Sequence, residues 1–312
     1  MTGILEGRVA IVTGSARGIG LAIAQTMVMQ GARVVIADNG ASIDGSPEDS
    51  VVVDAAVERC NALATGRAVA VKADVSVPGA AQKLVEAARE AFGAVDIVVN
   101  NAAILRDTPI FDAPRDMFDH MLANNLTAAF ALLAAATPAM RDQIRAGRVP
   151  GSIVNMVSAV GLYGQPEQSA YAAAKAGLVG LTRVVALELR ELGITCNAVA
   201  PFAATRTTVA MQPTDEAQAR YKEHAMKVPG SYVANLVAWL ASSQAASVTG
   251  QLFGVRGREL MLFSQPRPVR TVFTDPGGVD ADAIAASVLG QLAPEFADLA
   301  SALDAFGGEP VV

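Results

Sequence analysis

A tyrosine and a lysine lie four positions apart, at Tyr171 and Lys175, in an alanine-rich run without a helix breaker between Ser169 and Gly177. On a helix this spacing places both side chains on one face. A fixed ammonium group beside a phenol favours the phenolate, which lowers the pKa of the phenol from its ordinary value of about 10. The pair is therefore a candidate for proton transfer to and from an oxygen atom.

A serine, Ser158, follows the apolar run 152–157 and precedes Tyr171 by thirteen residues. A strand over that run would deliver the serine hydroxyl to the edge of a sheet, where it could hold a substrate oxygen. A Tyr/Lys pair with this spacing also occurs on ordinary amphipathic helices. The catalytic interpretation therefore depends on the rest of the chain.

Composition bounds the fold and the partners. The chain has 312 residues, of which 52% are hydrophobic and 17% charged, with a mean hydropathy of +0.36. This is apolar for a soluble protein and suits one α/β domain over 1–312 whose sheet is buried on both faces. The net charge is −6 and lysine and arginine are not clustered, so we expect no nucleic-acid or anionic-lipid partner.

The two cysteines, Cys60 and Cys196, have no neighbouring cysteine or histidine and are interpreted as buried structural thiols. The pattern predicts no metal site. The first residues lack the apolar core of a signal peptide, and no uninterrupted 18-residue apolar run occurs, so we expect a cytoplasmic protein without a membrane partner.

A glycine-rich turn follows the apolar run 8–13 and precedes the helical pattern 21–30. Glycines permit a tight turn and a close approach of backbone to phosphate, and a helix N-terminus offers N–H groups to a pyrophosphate. The spacing G-x-x-x-G-x-G differs from the common G-x-G-x-x-G pattern, and such turns also serve as plain connections. The residues that we expect to bind a dinucleotide here are Gly14, Ser15, Arg17, Gly18, Ile19 and Gly20.

An acid, Asp38, ends the second apolar run, 33–37. At the tip of a strand its carboxylate can accept a hydrogen bond from a ribose 2′-hydroxyl and would repel a 2′-phosphate. No lysine or arginine occurs over 39–45, so the sequence favours NAD over NADP as the cofactor. Alternatively, Asp38 only caps the following turn.

Polar residues also follow the next two predicted strands, 68–72 and 96–99. The acid of Asp74-Val75 could meet an adenine amino group, and the run 100–103, which includes Asn101, Ala102 and Ala103, could stabilise the sheet or line a cofactor site. Strands and helices alternate throughout, which predicts a parallel sheet with its site at the strand C-termini.

The apolar periodicity over 112–145 is interrupted by Pro114 and Pro138, which predicts two helices or one kinked helix. Asn125 lies inside it, either as a satisfied core amide or as an opening that holds a water. The irregular stretch 202–230 has one short predicted helix, 215–227, and is interpreted as a substrate lid or, alternatively, as a disordered insertion. After the core, about 5–255, two helices are predicted in the extension 256–312, at 280–292 and 294–305.

Taken in order, these motifs resemble the short-chain dehydrogenase/reductase superfamily. They are T-G-S-A-R-G-I-G (13–20), D-V (74–75), N-N-A-A (100–103), N-L (125–126), Ser158, Y-A-A-A-K (171–175) and N-A-V-A-P (197–201). The resemblance implies a Rossmann-type doubly wound parallel seven-stranded sheet in the order 3-2-1-4-5-6-7. It also implies a homo-oligomer, a tetramer or dimer, built on the helices 112–145 and 168–192.

The resemblance further implies a catalytic tetrad of Asn125, Ser158, Tyr171 and Lys175. Tyr171 would exchange a proton with the alcohol or carbonyl oxygen, and Ser158 would hydrogen-bond the same oxygen. Lys175 would bind the nicotinamide ribose and lower the pKa of the phenol, while Asn125 would hold a water linked to Lys175. The cofactor carboxamide would be held around Pro201, Ala204 and Thr205, although Phe202 and Arg206 depart from the usual pattern there.

The stretches P-F-A-A-T-R-T-T (201–208), D-N-G-x-x-x-D-G (38–45) and I-L-R-D (104–107) are similar to the (3R)-hydroxyacyl-CoA dehydrogenase branch. They imply an NAD-dependent oxidoreductase acting on a secondary alcohol such as a 3-hydroxyacyl-CoA. Alternatives are a steroid or cyclic-alcohol dehydrogenase and, more distantly, a cofactor-binding scaffold without activity. Coenzyme A would need basic groups at the cleft mouth, and the candidates are Arg106, Arg115, Arg206 and Arg220.

Overall fold

The computed structural model describes residues 3–47, 49–213, 215–273 and 280–312. Within these residues eight strands form one sheet, in the order β3-β2-β1-β4-β5-β6-β7-β8. The strands are β1 Val9–Thr13, β2 Arg33–Asp38, β3 Ala68–Lys72, β4 Ile97–Asn100, β5 Ser152–Met156, β6 Thr195–Phe202, β7 Leu252–Arg256 and β8 Glu259–Phe263.

The predicted doubly wound sheet and its order over β1 to β7 are confirmed, and all pairings among these strands are parallel. The predicted number of strands is wrong by one, because β8 returns antiparallel to β7. A tight turn at Gly257, with φ +58°, joins these two strands. β8 forms an edge of the sheet and alternates between half-buried and exposed residues. It therefore lacks the fully buried pattern of the central strands, and the sequence did not indicate a strand there.

Helices cover both faces of the sheet, because β1 and β2 are buried on both sides and their successive side chains point to opposite faces. One layer, with α1, α2 and α10, packs against Val12 and Ile36, and the other, with α3, α5 and α7, packs against Ile11 and Val35. The helices are α1 Gly18–Met29, α2 Val51–Leu63, α3 Ala80–Phe92, α4 Arg115–Leu122, α5 Ala128–Arg145, α6 Val160–Tyr163, α7 Ser169–Leu189, α8 Arg206–Ala210, α9 Glu216–Met226, α10 Ser231–Leu240, α11 Ala281–Ser287 and α12 Ala302–Ala305.

The stretch 112–145 forms two helices, but the boundary between them is not at a proline. Pro114 caps α4, and Pro138 lies inside α5 without ending it. The interruption is instead one π-helical turn over Ala123–Thr127, which is centred on Asn125. The widened turn frees part of the regular helical hydrogen-bonding pattern at this residue.

Two helical stretches of the described chain are long and apolar enough to span a membrane by length and composition alone, Arg115–Arg145 and Ser169–Leu192. Core helices of soluble proteins meet the same criterion. Here α5 packs against α3, and α7 packs against β6 in the α/β core. We therefore interpret both stretches as core helices whose outer faces are apolar.

The described residues form two compact units, one up to Phe263 that includes Ser301–Val312, and one over Ser264–Ala300. The predicted extension thus divides between the units, while the single-domain assignment stays a prediction. In the second unit α11 continues into a π-helical turn, and Arg270 pairs with Glu295 at 3.9 Å. The helix predicted over 294–305 is wrong, because only a turn at Ala293–Glu295 and the short α12 form there.

Candidate active site

The structure brings Ser158, Tyr171 and Lys175 together at the C-terminal edge of the sheet. Ser158 follows β5, and its hydroxyl hydrogen-bonds the phenol of Tyr171, which lies on α7. The ammonium nitrogen of Lys175 lies 5.5 Å from the centre of the Tyr171 ring and donates to the carbonyl oxygen of Met156 at 2.8 Å. A proton donor, a hydroxyl that can orient an oxygen, and a cation thus share one small site.

The expected lowering of the phenol pKa by Lys175 is wrong for this arrangement. Burial raises the pKa of Tyr171 to about 12, and the Ser158 hydrogen bond opposes this rise only in part. Burial also lowers the pKa of Lys175 to about 8. Desolvation disfavours the charged forms of both groups, and it is the largest cause of both shifts.

Two further groups act on Tyr171 that the sequence did not identify as site residues. The phenol of Tyr221, on α9, and the carboxyl of Asp107 both raise the pKa of Tyr171. Asp107 hydrogen-bonds Gln168, and burial raises the pKa of its own carboxyl. The I-L-R-D motif was the one sequence signal for Asp107, and Tyr221 lies in the irregular lid stretch, where spacing gives no indication of its neighbours.

Of the two alternatives for Asn125, the satisfied core amide is confirmed, and the bound water stays a prediction. Its amide is a satisfied core group, because Oδ1 accepts from the N–H of Ile104 at 3.1 Å, and Nδ2 donates to the carbonyl oxygens of Ile104 and Met121. The π-helical turn also opens the helix at this position. A cavity of about 10 Å³ beside it, lined in part by Thr13, Asn100 and Asn124, is about large enough for one water.

The glycine turn is shaped to receive a phosphate group. Gly14 and Gly18 have φ of +62° and +57°, values that favour glycine, and a Cβ on Gly18 would meet open space. A Cβ on Gly20 would lie 2.2 Å from the carbonyl oxygen of Gly14, so only glycine fits there. The helix α1 begins at Gly18 without a side-chain cap, which leaves its first N–H groups to an anion. The turn therefore fits a dinucleotide pyrophosphate.

The other predicted residues of this turn have structural partners. The hydroxyl of Ser15 donates to the Val12 carbonyl oxygen at 2.6 Å and accepts from the N–H of Ala37, which ties β1 to β2. The guanidinium of Arg17 donates to the carbonyl oxygens of Gly40 and Ala41. Ile19 is buried in the core layer beneath the turn.

Asp38 is buried at the end of β2, with 8% of its surface exposed. One carboxylate oxygen accepts from the N–H of Ala16 at 3.0 Å, and the other accepts from the N–H of Gly40 at 2.9 Å. The proposed ribose contact and the alternative, a turn cap, are therefore compatible. Each oxygen retains a second lone pair that could accept a hydroxyl.

The residues predicted near the adenine and at the end of β4 mainly hold loops in place. Asp74 accepts from the N–H and the hydroxyl of Ser76 at 2.8 and 2.6 Å, both through Oδ1. The amide of Asn101 donates to the carbonyl oxygens of Thr13 and Gly14. A Cβ on Gly14 would lie 2.7 Å from the Cα of Ala102, so this segment closely backs the glycine turn. Val75 is half-buried and Ala103 is exposed, and both lie beside these residues in the chain.

The predicted carboxamide region continues β6, which extends through Pro201 to Phe202. Ala204 is fixed by an N–H donation to the Val228 carbonyl oxygen at 2.8 Å. The hydroxyl of Thr205 accepts from the N–H of Thr208 at 3.3 Å and lies 3.1 Å from the Thr208 hydroxyl. Thr205 therefore caps α8, and Thr208 is its buried partner.

Of the buried polar ladder beneath the site, the sequence indicated only Asn100, as part of the run 100–103 that could stabilise the sheet. The Asn100 amide donates to the Asn155 side-chain oxygen at 2.8 Å, and the Asn155 amide donates to the Thr182 hydroxyl at 2.9 Å. The ladder joins β4, β5 and α7, and so fixes the helix that carries Tyr171 and Lys175 against the strand that precedes Ser158. An asparagine in the middle of the apolar strand S-I-V-N-M was the available signal.

No cluster of three or more potential metal ligands occurs among the described residues. Cys60 and Cys196 are buried on opposite faces of the sheet and form no disulfide. Burial raises the pKa of the Cys60 thiol to about 11 and raises that of Cys196 as well. Both thiols are therefore poor nucleophiles near neutral pH.

Comparison with known proteins places this geometry in a family. The family model described as "Enoyl-(Acyl carrier protein) reductase" matches residues 14–257. The 3-oxoacyl-(acyl-carrier-protein) reductase FabG of Salmonella typhimurium is 36% identical over 259 residues, which cover 82% of this chain and 99% of FabG. The hydroxyacyl-CoA dehydrogenase ChsB1 of Mycobacterium tuberculosis is 35% identical over 288 residues, which cover 91% of this chain and 88% of ChsB1.

A solved structure of a short-chain dehydrogenase from Mycobacterium avium superposes with a TM-score of 0.79 at 34% identity, covering 95% of this chain and 98% of that one. The range matched by the family model, 14–257, spans the glycine turn, Ser158, Tyr171 and Lys175. The chain therefore belongs to the short-chain dehydrogenase/reductase superfamily of nicotinamide-dependent oxidoreductases.

Proposed function

We propose that the protein is an NAD-dependent dehydrogenase that interconverts a secondary alcohol and a ketone, with a 3-hydroxyacyl-CoA as its substrate. The observation that carries this proposal is the grouping of Ser158, Tyr171 and Lys175 at the sheet edge that also bears the glycine turn. The bound nicotinamide supplies the acceptor or donor of the hydride. The protein then has to position the substrate and move one proton.

Each side chain has a distinct task in that reaction. Ser158 donates a hydrogen bond to the substrate oxygen and orients it towards Tyr171. The Tyr171 phenolate takes the proton in alcohol oxidation, and the Tyr171 phenol gives it back in ketone reduction. Lys175 provides a buried positive charge beside the phenol, and Asn125, beside a water-sized cavity, would hold the water that links Lys175 to solvent.

The proposal of NAD over NADP is supported by the burial of Asp38 and its position beside the glycine turn. A 2′-phosphate there would meet a carboxylate at short range in a poorly solvated site, which is unfavourable. Arg17 is the nearest cation in the turn, but its guanidinium donates to the carbonyl oxygens of Gly40 and Ala41.

A coenzyme A thioester is supported by two of the four candidate arginines. Arg106 and Arg206 donate to the carbonyl oxygens of Asp44 and Ala41, so both lie beside the loop that follows β2. The other two candidates form ion pairs within their own helices, Arg115 with Asp119 and Arg220 with Glu216. ChsB1, a hydroxyacyl-CoA dehydrogenase whose similarity covers 91% of this chain, points to the same substrate class.

A second candidate is a steroid or cyclic-alcohol dehydrogenase. The observation that favours it is a cluster of aromatic rings near Ser158, formed by Phe202, Phe263, Phe306 and Tyr163. Such a wall suits any apolar group, and an acyl chain meets it equally well.

The test is a substrate panel of 3-hydroxyacyl-CoA, steroid and cyclic secondary alcohols with NAD or NADP, followed by NADH absorbance. We expect the highest kcat/KM with a 3-hydroxyacyl-CoA and NAD. The control is Tyr171→Phe, which removes only the hydroxyl, so turnover should fall by at least about a hundredfold while NADH still binds. Turnover that survives this substitution would refute the role of Tyr171, and a preference for steroids would refute the substrate assignment.

We also propose a cytoplasmic homo-oligomer, a tetramer or dimer, that contacts its copies through α5 and α7. These helices carry large apolar residues that are at least half exposed, namely Phe130, Val184 and Leu187. Apolar patches of this kind commonly mark contacts between proteins. Light scattering should report a mass above that of one chain, and a monomer at micromolar concentration would contradict the proposal.

A further inference from the structure

Residues 301–312, here called the strap, lie across two elements that border the catalytic site. Its helix α12 contacts α6, which directly follows Ser158, and also contacts α9 of the lid. The N–H of Ala302 donates to the Gly164 carbonyl oxygen at 2.9 Å, which fixes the start of the strap to the end of α6. The strap therefore connects the fixed side of the site to its lid.

The lid side is held by two side chains at the end of α9. His224 Nδ1 lies 3.0 Å from the carbonyl oxygen of Gly307, and His224 Nε2 lies 2.7 Å from the carboxylate of Glu309. Lys227 donates to the same carboxylate at 2.9 Å. Three polar contacts thus fasten α9 to the strap.

On the sheet side, hydrogen bonds hold the backbone of the strap. The Arg256 guanidinium, at the end of β7, donates to the carbonyl oxygens of Phe306 and Gly308 at 3.1 and 3.0 Å. The N–H of Arg258 donates to the Val311 carbonyl oxygen at 2.7 Å. These bonds fix the backbone on both sides of Phe306, so its ring has a defined position.

The Phe306 ring is the centre of the aromatic cluster. It is 8% exposed and packs against Phe202 with the ring centres 4.2 Å apart, and Tyr163 meets it edge-on at 5.5 Å. The same cluster includes Ala159, which is bonded to the catalytic Ser158 in the chain, and Tyr221 packs against it. Tyr221 also acts electrostatically on Tyr171, so the cluster reaches from the strap to the reacting phenol.

We propose that the strap forms the outer wall of the substrate pocket and that Phe306 limits the length of the chain attached to the reacting carbon. This inference rests on the proposed function and adds the residue that sets its specificity. A ring fixed between Phe202 and Tyr163 cannot move aside without breaking several contacts. A longer chain is therefore excluded unless Phe306 is made smaller.

The size of the effect follows from the burial of methylene groups. Each additional methylene that enters an apolar pocket raises affinity about fourfold. Phe306→Ala creates a space of several methylenes, so we expect the ratio of kcat/KM for 3-hydroxydodecanoyl-CoA to that for 3-hydroxybutyryl-CoA to rise at least about tenfold. Phe306→Trp enlarges the side chain, and the same ratio should fall.

The experiment measures kcat/KM for 3-hydroxybutyryl-, 3-hydroxyoctanoyl- and 3-hydroxydodecanoyl-CoA, and for simple secondary alcohols of matching chain length. It uses the unaltered protein, Phe306→Ala, Phe306→Leu and Phe306→Trp. Thermal unfolding identifies any variant that fails to fold, and the leucine and tryptophan variants decide the question if alanine does so. Phe296→Ala is the matched control, because this phenylalanine is 61% exposed and lies outside the aromatic cluster.

Opposite shifts in chain-length preference for the smaller and larger side chains would support the proposal. If every variant changed kcat/KM by one common factor at all chain lengths, or left it unchanged, Phe306 would have no role in specificity. If the thioesters were inert but the alcohols showed the opposite shifts, the acyl-CoA assignment would be wrong and the role of Phe306 would stand.

Discussion

The cofactor side of the site, meaning the turns after β1, β2 and β4, is built mainly of backbone. There the tight spaces are between Gly14, Gly20 and Ala102, and the polar side chains of Asn101 and Ser15 serve to hold backbone in place. Its shape is therefore set by a few glycines and by strand register.

The substrate side, meaning α6, α9 and the strap, is built of side chains from segments far apart in the chain. Tyr163, Phe202, Tyr221 and Phe306 meet there. A backbone cradle can recognise one invariant chemical group, such as a pyrophosphate. A cluster of side chains can be altered one residue at a time, so the two sides should respond differently to substitution.

The largest difference should come from Gly20→Ala on the cofactor side. The new Cβ would lie 2.2 Å from the Gly14 carbonyl oxygen and 2.6 Å from the Asn101 amide nitrogen, and neither can move freely. We expect NADH binding to weaken about a hundredfold or more, measured by fluorescence titration.

Gly230→Ala is the matched control, because the new Cβ would lie 3.5 Å from the Ala22 Cβ, which is an ordinary contact. Ala22 lies on α1, the helix that also carries Gly20. NADH affinity should then stay within about threefold of the unaltered protein. Equal binding by both variants would show that the glycine turn is not a cradle.

The next prediction concerns Lys175, which lies between the two sides and is 2% exposed. Because burial lowers its pKa from 10.5 to about 8, the folded state binds fewer protons than the unfolded chain between these values. The buried Lys175 therefore destabilises the folded state to its full extent below pH 8, and this effect is lost as the pH rises towards 10.5.

Lys175→Met removes this titrating group. The free energy of unfolding of this variant should exceed that of the unaltered protein at low pH, and the difference should shrink by about 2 kcal/mol between about pH 7 and about pH 9.5. The raised pKa of Tyr171 acts only above pH 10 and does not interfere. Chemical denaturation at both pH values measures the difference. An advantage that is constant with pH would mean that Lys175 titrates as if it were in water.

A smaller change is expected from Asp38→Asn, which removes one charge from the cofactor side. The ratio of kcat/KM with NAD to that with NADP should fall about tenfold, because the repulsion of a 2′-phosphate is lost. Asp38→Ala should change this ratio in the same direction and also lower the stability of the protein, since the N–H groups of Ala16 and Gly40 lose their acceptor.

Asp54→Asn is the control, as this exposed carboxylate pairs with Lys72 on the surface. Equal use of both cofactors by the unaltered protein would contradict this role of Asp38.

The sequence predicted the local structure of the cofactor side because the determinants of that structure are local. A strand, a glycine turn and a helix over residues 9–29 specify one another through short-range sterics. The same holds for Tyr171 and Lys175, whose spacing alone places them on one face of α7. The order of strands β1 to β7 came from family resemblance together with the alternation of elements.

The substrate side was mostly missed because its contacts are not local. Nothing near Tyr221 or Phe306 in the chain indicates that they share a cluster with Ala159. The rise in the Tyr171 pKa was missed for a related reason, since it depends on how deeply tertiary packing buries the phenol. The contact of Asn125, in the π-helical turn, with Ile104 is likewise not local, since Ile104 lies twenty-one residues earlier.

The two ends of the stretch 264–300 adjoin residues of the unit that holds the site, because Phe263 lies in β8 and Ser301 begins the strap. The entropic cost of closing a flexible connection grows slowly, by only about 0.6 kcal/mol for each doubling of its length. Insertions that lengthen this stretch should therefore reduce the free energy of unfolding only slightly, provided that its two ends stay fixed. Relatives with insertions there should keep the same pocket.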